Sequence, residues 1–131
     1  MELLKDVLLR IKSSDIEIKS LINLKNSMRE NVLSINSSIS EKVSGSKNLD
    51  GVYDTVDRYL DLEEVINNKL EVLLEDKKVA LGMINNLKDS MSRIILIEHY
   101  FNNKSWNDIA FRFGKSKAWV KNVYLRILKE L

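Results

Sequence analysis

The side chains best suited to act on a partner lie in the last fifteen residues of the chain. A helix over 117–131 has an apolar face and an opposite face of different chemistry. The apolar face comprises Val120, Val123, Tyr124, Ile127 and Leu131, and the opposite face comprises Ala118, Lys121, Asn122, Leu125 and Lys129. An amide side chain donates and accepts hydrogen bonds side by side, and an ammonium group donates to acceptors and anions. The opposite face therefore has the chemistry to bind a polyanion and to recognise hydrogen-bonding groups on it.

Two short helices and a tight turn must position this face. Ser105 is a candidate N-cap for a helix that begins at about Trp106. Gly114 is the residue best able to take the left-handed conformation that ends that helix, and Ser116 can cap the next one. The first of the two helices has its own apolar face, formed by Trp106, Ile109, Ala110 and Phe113. Two helices joined by a turn of about three residues that contains glycine form a helix-turn-helix, and residues 90–101 predict a third helix before them.

The charge of the chain is distributed unevenly along its length. The whole chain has 21 Lys and Arg against 19 Asp and Glu, a net charge of +2. Residues 1–51 hold eight basic and seven acidic side chains, residues 52–89 hold five and nine, and residues 90–131 hold eight and three. The three segments therefore have net charges of +1, −4 and +5. A basic C-terminal third beside an acidic middle is typical of a protein that presents one end to a polyanion.

The run Ile109-Ala110, Gly114-Lys115-Ser116, Val120 and Leu128-Lys129-Glu130-Leu131 resembles region four of bacterial sigma factors. That module reads the promoter −35 element. The segment from Tyr100 to Lys104, followed by Trp106, is similar to small phage regulators of the RinA and ArpU type. The likeness covers residues 84–131 and extends to the rest of the chain only in general character. It implies a DNA-binding transcription regulator of phage origin that acts in the cytoplasm of a bacterial host cell, with double-stranded DNA and RNA polymerase as partners.

The resemblance also implies which residues contact DNA. On a recognition helix over 117–131, in the major groove, the base-reading positions are Lys117, Ala118, Lys121 and Asn122. Asn122 can pair bidentately with adenine, and Lys121 can reach guanine O6 and N7 or a phosphate. Ala118 departs from the polar residue often found at its position and offers only a methyl contact to thymine.

The resemblance predicts phosphate contacts as well, which supply salt-dependent affinity rather than specificity. The basic residues expected to make them are Lys104, Arg112, Lys115 and Arg126. Trp119 replaces a frequently basic position of the family. Whether Trp119 lies against the DNA backbone or packs on the preceding helix is open at the level of sequence.

Two long helices are predicted before this unit. Apolar residues spaced alternately three and four apart form one seam over 4–39 and a second over 52–87, each with nine of eleven positions apolar or aromatic. The stretch near 42–51 contains two glycines and no period, which predicts a loop. The expected fold is therefore all-α, with a long, coiled-coil-like helical hairpin over 1–88 and a helix-turn-helix domain over 89–131. Polar residues on the seams, such as Lys25, Glu63 and Lys77, can fix register or oligomeric state, and a homodimer or higher oligomer through the hairpin is expected.

The composition argues against several classes of protein. The chain has no cysteine, and His99, its only histidine, is interpreted as an ordinary helix residue, so neither a metal site nor a thiol or histidine-based catalytic centre is expected. The longest apolar run, Ile94 to Ile97, has four residues, whereas a membrane span needs about twenty. We therefore expect neither an enzyme nor a cofactor, and no association with a membrane.

Two other functions remain as alternatives. A phage small terminase subunit also joins a helix-turn-helix to long helices, although its DNA-binding part usually comes first and here it comes last. The second alternative is a protein-binding inhibitor that acts through the helical hairpin, whose second helix has an acidic outer face.

Overall fold

The computed structural model describes residues 2–41 and 47–131, and within these ranges it contains helices and turns but no strands. The five α-helices are α1 (Leu4–Glu41), α2 (Lys47–Asn85), α3 (Ser90–Leu96), α4 (Trp106–Phe113) and α5 (Lys117–Glu130). A π-helical turn over Ile97–Phe101 continues α3. The predicted all-α fold, a long helical hairpin followed by a helix-turn-helix, is confirmed.

The contacts divide the chain into two compact units. One unit is Ser14–Val72, which contains most of α1 and the first part of α2. The other combines Met1–Ser13 with Leu73–Leu131. The predicted boundary between residues 88 and 89 marks a change of sequence pattern. By packing, the beginning of α1 and the end of α2 belong with α3, α4 and α5.

Within the Ser14–Val72 unit, α1 and α2 pair in antiparallel orientation. The Lys69 ammonium lies 2.6 Å from a carboxylate oxygen of Glu17, and that of Lys25 lies 3.1 Å from Glu63. Residue numbers that rise along α1 are thus matched by numbers that fall along α2. Lys25 and Glu63 are two of the polar departures from the predicted seams, and each is the ion-pair partner of the other.

The unit of Met1–Ser13 and Leu73–Leu131 contains most of the buried apolar side chains. α1 contributes Leu4, Val7, Leu8 and Ile11, α2 contributes Leu73, Ala80 and Ile84, and the C-terminal helices contribute Ile95, Leu96, Ile109, Ala110, Val120, Val123 and Ile127. Fully burying one Val, Leu or Ile side chain stabilises a protein by roughly 1.5–3 kcal/mol. The short helices α3, α4 and α5 are therefore held by a core to which both long helices contribute.

An ion pair joins α1 to α2 at the edge of this core. The Arg10 guanidinium donates two hydrogen bonds, of 2.9 and 2.8 Å, to the two carboxylate oxygens of Asp76, and it also pairs with Glu2. These hydrogen bonds from Arg10 hold the pKa of the Asp76 carboxyl below its usual value. The bidentate geometry fixes the register of the two helices here.

α2 begins at Lys47, so residues 47–51, predicted as part of the loop, are helical. Residues 42–46 of the predicted loop lie outside the described residues, as do the side chains at the seam positions Val32, Ile35, Ile39 and Val52. Residues 47–51 are helical instead of forming a loop because glycine ends a helix only when it takes a left-handed conformation. Among the described glycines only Gly114 has a positive φ, so Gly51 continues the helix.

In the ranges that the structure describes, no helix combines the length and the apolar character needed to cross a membrane.

Replacing a glycine by alanine should raise the free energy of unfolding at two of the described positions and lower it at the third. An added Cβ at Gly51 or Gly82 meets no atom within 4 Å, and both are in the interior of α2. We expect Gly51→Ala and Gly82→Ala each to raise the free energy of unfolding by about 0.5–1 kcal/mol. Gly114→Ala should lower it by about 1 kcal/mol or more, because its φ is +65°. Urea unfolding at one protein concentration measures all three, and a destabilising Gly51→Ala would contradict the helical assignment of 47–51.

Candidate nucleic-acid interface

A three-residue turn sets the angle between α4 and α5. Gly114 is left-handed, with φ 65° and ψ 33°. Its N–H donates to the carbonyl of Phe111 at 3.1 Å, and the Lys115 N–H donates to the carbonyl of Ala110 at 3.0 Å. This pair of bonds is the Schellman motif, which satisfies the last carbonyls of α4. The prediction that Gly114 ends this helix is confirmed.

Serine caps begin both helices, as predicted. The Asp108 N–H donates to Oγ of Ser105 at 3.1 Å, and the Trp119 N–H donates to Oγ of Ser116 at the same distance. Both serines have extended backbone conformations, so each leads the chain into its helix from outside. The turn and the two caps together fix where α5 starts and in which direction it runs.

The two helices bury the faces that the sequence predicts. On α4, Ile109 and Ala110 are 1% and 3% exposed, and on α5 Val120 is fully buried. Val123 and Ile127 extend the buried face of α5 by two further turns. Ala110 is small at a point where two helices approach each other, so a larger side chain there would force them apart.

Burial of that face leaves the opposite face of α5 in solvent. All of the residues predicted for it, Ala118, Lys121, Asn122, Leu125 and Lys129, are exposed. The predicted base-reading residues Lys117, Ala118, Lys121 and Asn122 lie together on the first two turns of α5, and all four are exposed. Within the described part of the chain, no ion pair engages Lys117 or Lys121. Their ammonium groups are available to an external anion.

Two of the predicted phosphate contacts share a groove on the outer side of α4. Lys104 and Arg112 line it together with Glu98 and Asp108. Arg112 lies 3.1 Å from the Glu98 carboxylate, whose side chain is only 11% exposed. Arg112 therefore has a partner inside the protein, and its charge is partly balanced before any ligand binds. Among the described contacts, none joins this groove to the exposed face of α5.

The other two predicted phosphate contacts are near α5. The Lys115 ammonium lies 5.5 Å from the centre of the Trp119 ring, over its face. That ring in turn lies 6.4 Å from the ring of Phe113, the last residue of α4. Trp119 therefore packs on α4, which answers the question that the sequence left open. Arg126 is exposed, one helical turn beyond Asn122.

An aromatic cluster lies between the π-helical turn, α4 and α5. The ring of His99 stacks on Trp106 at 4.1 Å with an interplanar angle of 19°. Tyr124 of α5 is 4.7 Å from Trp106 and 5.6 Å from His99, and its hydroxyl is hydrogen-bonded to that of Tyr100. Burial, followed by this hydrogen bond, raises the pKa of Tyr100. The cluster attaches α5 to the rest of the unit from the side opposite its exposed face.

His99 also connects the cluster to α1. The Lys12 ammonium lies 3.0 Å from Nε2 of His99. An ammonium group has no acceptor, so Nε2 accepts, and the neutral ring has its proton on Nδ1. Burial is the main cause that lowers the pKa of His99, and the Lys12 charge adds to it. His99 thus links α1 to the aromatic cluster, a pair of contacts that the sequence does not predict.

The π-helical turn explains how these side chains come together. The Asn102 N–H donates to the carbonyl of Ile97 at 3.1 Å, five residues back, and Asn103 follows with φ 54°. Glu98 is turned inward, where it accepts a hydrogen bond of 2.9 Å from the Asn102 amide as well as pairing with Arg112. Sequence periodicity does not reveal a single extra residue in a helical turn. The adjacent asparagines at 102 and 103, which tolerate positive φ, are the signal that could have located it.

No group of three or more histidine or acidic side chains with the geometry to hold a metal ion occurs among the residues that the structure describes. What this region offers is a solvent-exposed, basic helix face with an amide at its centre, supported from behind by packed aromatic rings.

Stability should depend on pH through His99. Because the pKa of His99 is lowered below its ordinary 6.5, the unfolded chain binds a proton before the folded chain does as the pH falls. We expect the contribution of His99 to the free energy of unfolding to be constant above about pH 7, to fall below about pH 6.5, and to level off below the folded pKa. Urea unfolding at a series of pH values measures this.

His99→Phe is the control for that measurement, because it keeps an aromatic ring on Trp106 but cannot titrate. The chain has a single histidine, so this variant should lose the pH dependence between about pH 6.5 and 5. An unchanged dependence would show that another group is responsible.

No protein-family model, curated protein or solved structure matches this chain.

Proposed function

We propose that this chain is a sequence-specific DNA-binding protein that inserts α5 into the major groove. The observation that carries the proposal is the division of α5 into two faces. Val120, Val123 and Ile127 are buried in the core of the unit that contains α5, whereas Lys117, Lys121 and Asn122 are exposed on the first two turns of α5. An α-helix fits the major groove of B-DNA, and the first turns of the second helix of a helix-turn-helix are the part that meets the base edges.

The proposal assigns two different tasks to the exposed face. Asn122 reads adenine through its amide, whose Oδ1 accepts a hydrogen bond from the N6 amino group while its Nδ2 donates one to N7. Ala118 contacts a thymine methyl group, and Lys117 and Lys121 bind guanine or phosphate. The basic residues Lys115 and Arg126 near this face, and Lys104 and Arg112 on the outer side of α4, bind phosphates and supply affinity that does not depend on sequence.

The charge of the chain supports the same proposal. Residues 90–131 have eight basic and three acidic side chains, whereas residues 52–89 have five and nine. The basic segment contains the helix-turn-helix, so the positive potential is on the part of the chain that would approach DNA.

The resemblance to sigma region four and to the RinA and ArpU type of regulators extends the proposal beyond DNA binding. On that basis we propose that the protein regulates transcription, that it is of phage origin, and that it acts in the cytoplasm of the bacterial host in contact with RNA polymerase. The motif residues that support this are Ile109-Ala110, Gly114-Lys115-Ser116 and Val120.

Salt dependence should identify the phosphate contacts. For a duplex selected by the wild-type protein from a random pool, Lys115→Gln should lower the slope of log affinity against log salt by about one. Arg112→Gln should lower it by less, because Glu98 already balances that charge. Fluorescence anisotropy between about 50 and 200 mM salt measures the slopes. Lys78→Gln, an exposed lysine of α2, is the matched control. An equal loss of slope for Lys78→Gln and Lys115→Gln would reject the assignment.

Base reading should depend on Asn122. We expect Asn122→Ala to reduce the preference for the selected duplex over a scrambled duplex by roughly tenfold or more, because a bidentate contact is worth about 1–3 kcal/mol of discrimination. Affinity for the scrambled duplex should change little. Asn68→Ala, at an exposed position of α2, is the control. If Asn122→Ala weakened binding to both duplexes equally, Asn122 would not read a base.

A further inference from the structure

The described side chains of the Ser14–Val72 unit bury little apolar surface. Among its described side chains, the buried apolar residues are Ile18 and Ile66. Nine large apolar side chains of the same unit are exposed: Ile16, Ile22, Leu24, Leu33, Tyr53, Leu60, Leu70, Val65 and Val72. Helices whose described core is this small gain little stability from packing on each other, and apolar groups left exposed in this number indicate an interaction surface.

Four of these nine side chains, Ile22, Leu33, Tyr53 and Leu60, lie on one side of the helix pair in an ordered pattern. On each helix, the positions one residue after the buried seam form a second row with the same alternate spacing of three and four. On α1 this row is Asp15, Lys19, Ile22, Asn26, Arg29 and Leu33, and on α2 it is Tyr53, Asp57, Leu60, Glu64, Asn67 and Glu71. Apart from the half-buried Asp15, all of these residues are exposed. Such a row is the pattern by which a helix packs on further helices.

The two rows lie on the same side of the pair. Glu17 and Lys69 each occupy the position one residue before a seam residue, and they touch each other at 2.6 Å. Positions before the seam therefore share one side of an antiparallel pair. By the same geometry, positions after the seam share the other side, which we call the dimer face: the two rows defined above.

The charges of the dimer face differ between its two rows, which we call the α1 edge and the α2 edge. The row on α2 contains three carboxylates, Asp57, Glu64 and Glu71, and no basic residue. The row on α1 contains Lys19 and Arg29, with Asp15 pairing with Lys19 along the helix at 3.1 Å. Two copies related by a two-fold axis can place the α1 edge of each against the α2 edge of the other. Contact between the two α2 edges would instead oppose like charges.

We propose that the dimer face binds the same face of a second copy of this chain, so that two α1–α2 pairs form a four-helix bundle in which α1 of each copy lies beside α2 of the other. Ile22, Leu33, Tyr53 and Leu60, between 38% and 66% exposed in the single chain, supply the apolar contacts of the interface. Two adjacent helices of about twenty residues present a face of roughly 30 by 20 Å. Such a face is comparable to the roughly 800 Å² that each partner of a stable dimer buries. The inference does not depend on DNA binding.

Sedimentation velocity of the full chain at micromolar concentration tests the oligomeric state. We expect a dimer that dissociates on dilution, with a thermal midpoint that rises with protein concentration. A monomer at all concentrations, or a ring of eight or more subunits, would overturn the proposal.

Substitution at the dimer face tests its location. Leu60→Glu should raise the dissociation constant by roughly 30-fold or more. Val65→Glu is the matched control: Val65 is similarly exposed on the same helix but on the side of the Glu17–Lys69 pair, and the variant should still dimerise. Circular dichroism checks that both variants remain helical. Equal weakening by the two substitutions would contradict the proposed face.

Charge reversal tests which edges meet. One variant carries Asp57→Lys, Glu64→Lys and Glu71→Lys, and a second carries Lys19→Glu and Arg29→Glu. Each alone should be monomeric, because its α1 and α2 edges then have the same sign. Mixed together, the two variants should form a heterodimer, since each edge meets an edge of opposite sign. Failure of the mixture to associate, with both variants helical, would reject the contact of α1 with the partner's α2.

Discussion

The left-handed backbone of Gly114 determines the direction in which α5 leaves α4. The hydrogen bonds from the Gly114 and Lys115 N–H groups end α4, and Ser116 caps α5 two residues later. Once Val120 and its neighbours on the same face are buried, the exposed face of α5 is fixed as well, because the helical repeat determines which residues lie opposite them. The exposure of Lys121 and Asn122 thus follows from a backbone conformation several residues away.

The rest of the unit holds this arrangement in place. The stacked rings of His99 and Trp106 meet Tyr124 on the inner side of α5, and Lys12 reaches the same cluster from α1. The core includes Leu4, Val7, Leu8 and Ile11, so the beginning of the chain supports helices that are far from it in sequence. Neutral His99 accepts a hydrogen bond from Lys12, and protonation of the ring would remove that acceptor. The stability of the core behind the helix-turn-helix should therefore depend on the protonation of His99.

Periodicity and turn chemistry predict the local structure of this chain well. The seams locate α1 and α2, and the two serines and Gly114 locate the ends of α4 and α5, because each of these signals acts within a few residues. The rest depends on contacts between residues distant in sequence. From the sequence Arg112 is an unpaired cation, whereas in the structure it forms an ion pair with Glu98. Lys25 and Glu63 interrupt two separate apolar seams in the sequence, and in the structure they form an ion pair with each other. Gly51 resembles a loop residue because composition carries no information about φ.

Under the proposed function, DNA binds to the exposed face of α5. Mapping amide chemical shifts of the whole chain by NMR, during titration with a duplex selected from a random pool, tests this binding mode. We expect the largest changes to cluster at the turn and the first two turns of α5, from Lys115 to Asn122, with little change in the Ser14–Val72 unit. Changes concentrated in the Ser14–Val72 unit, or no change in α5 while the duplex is bound, would contradict it.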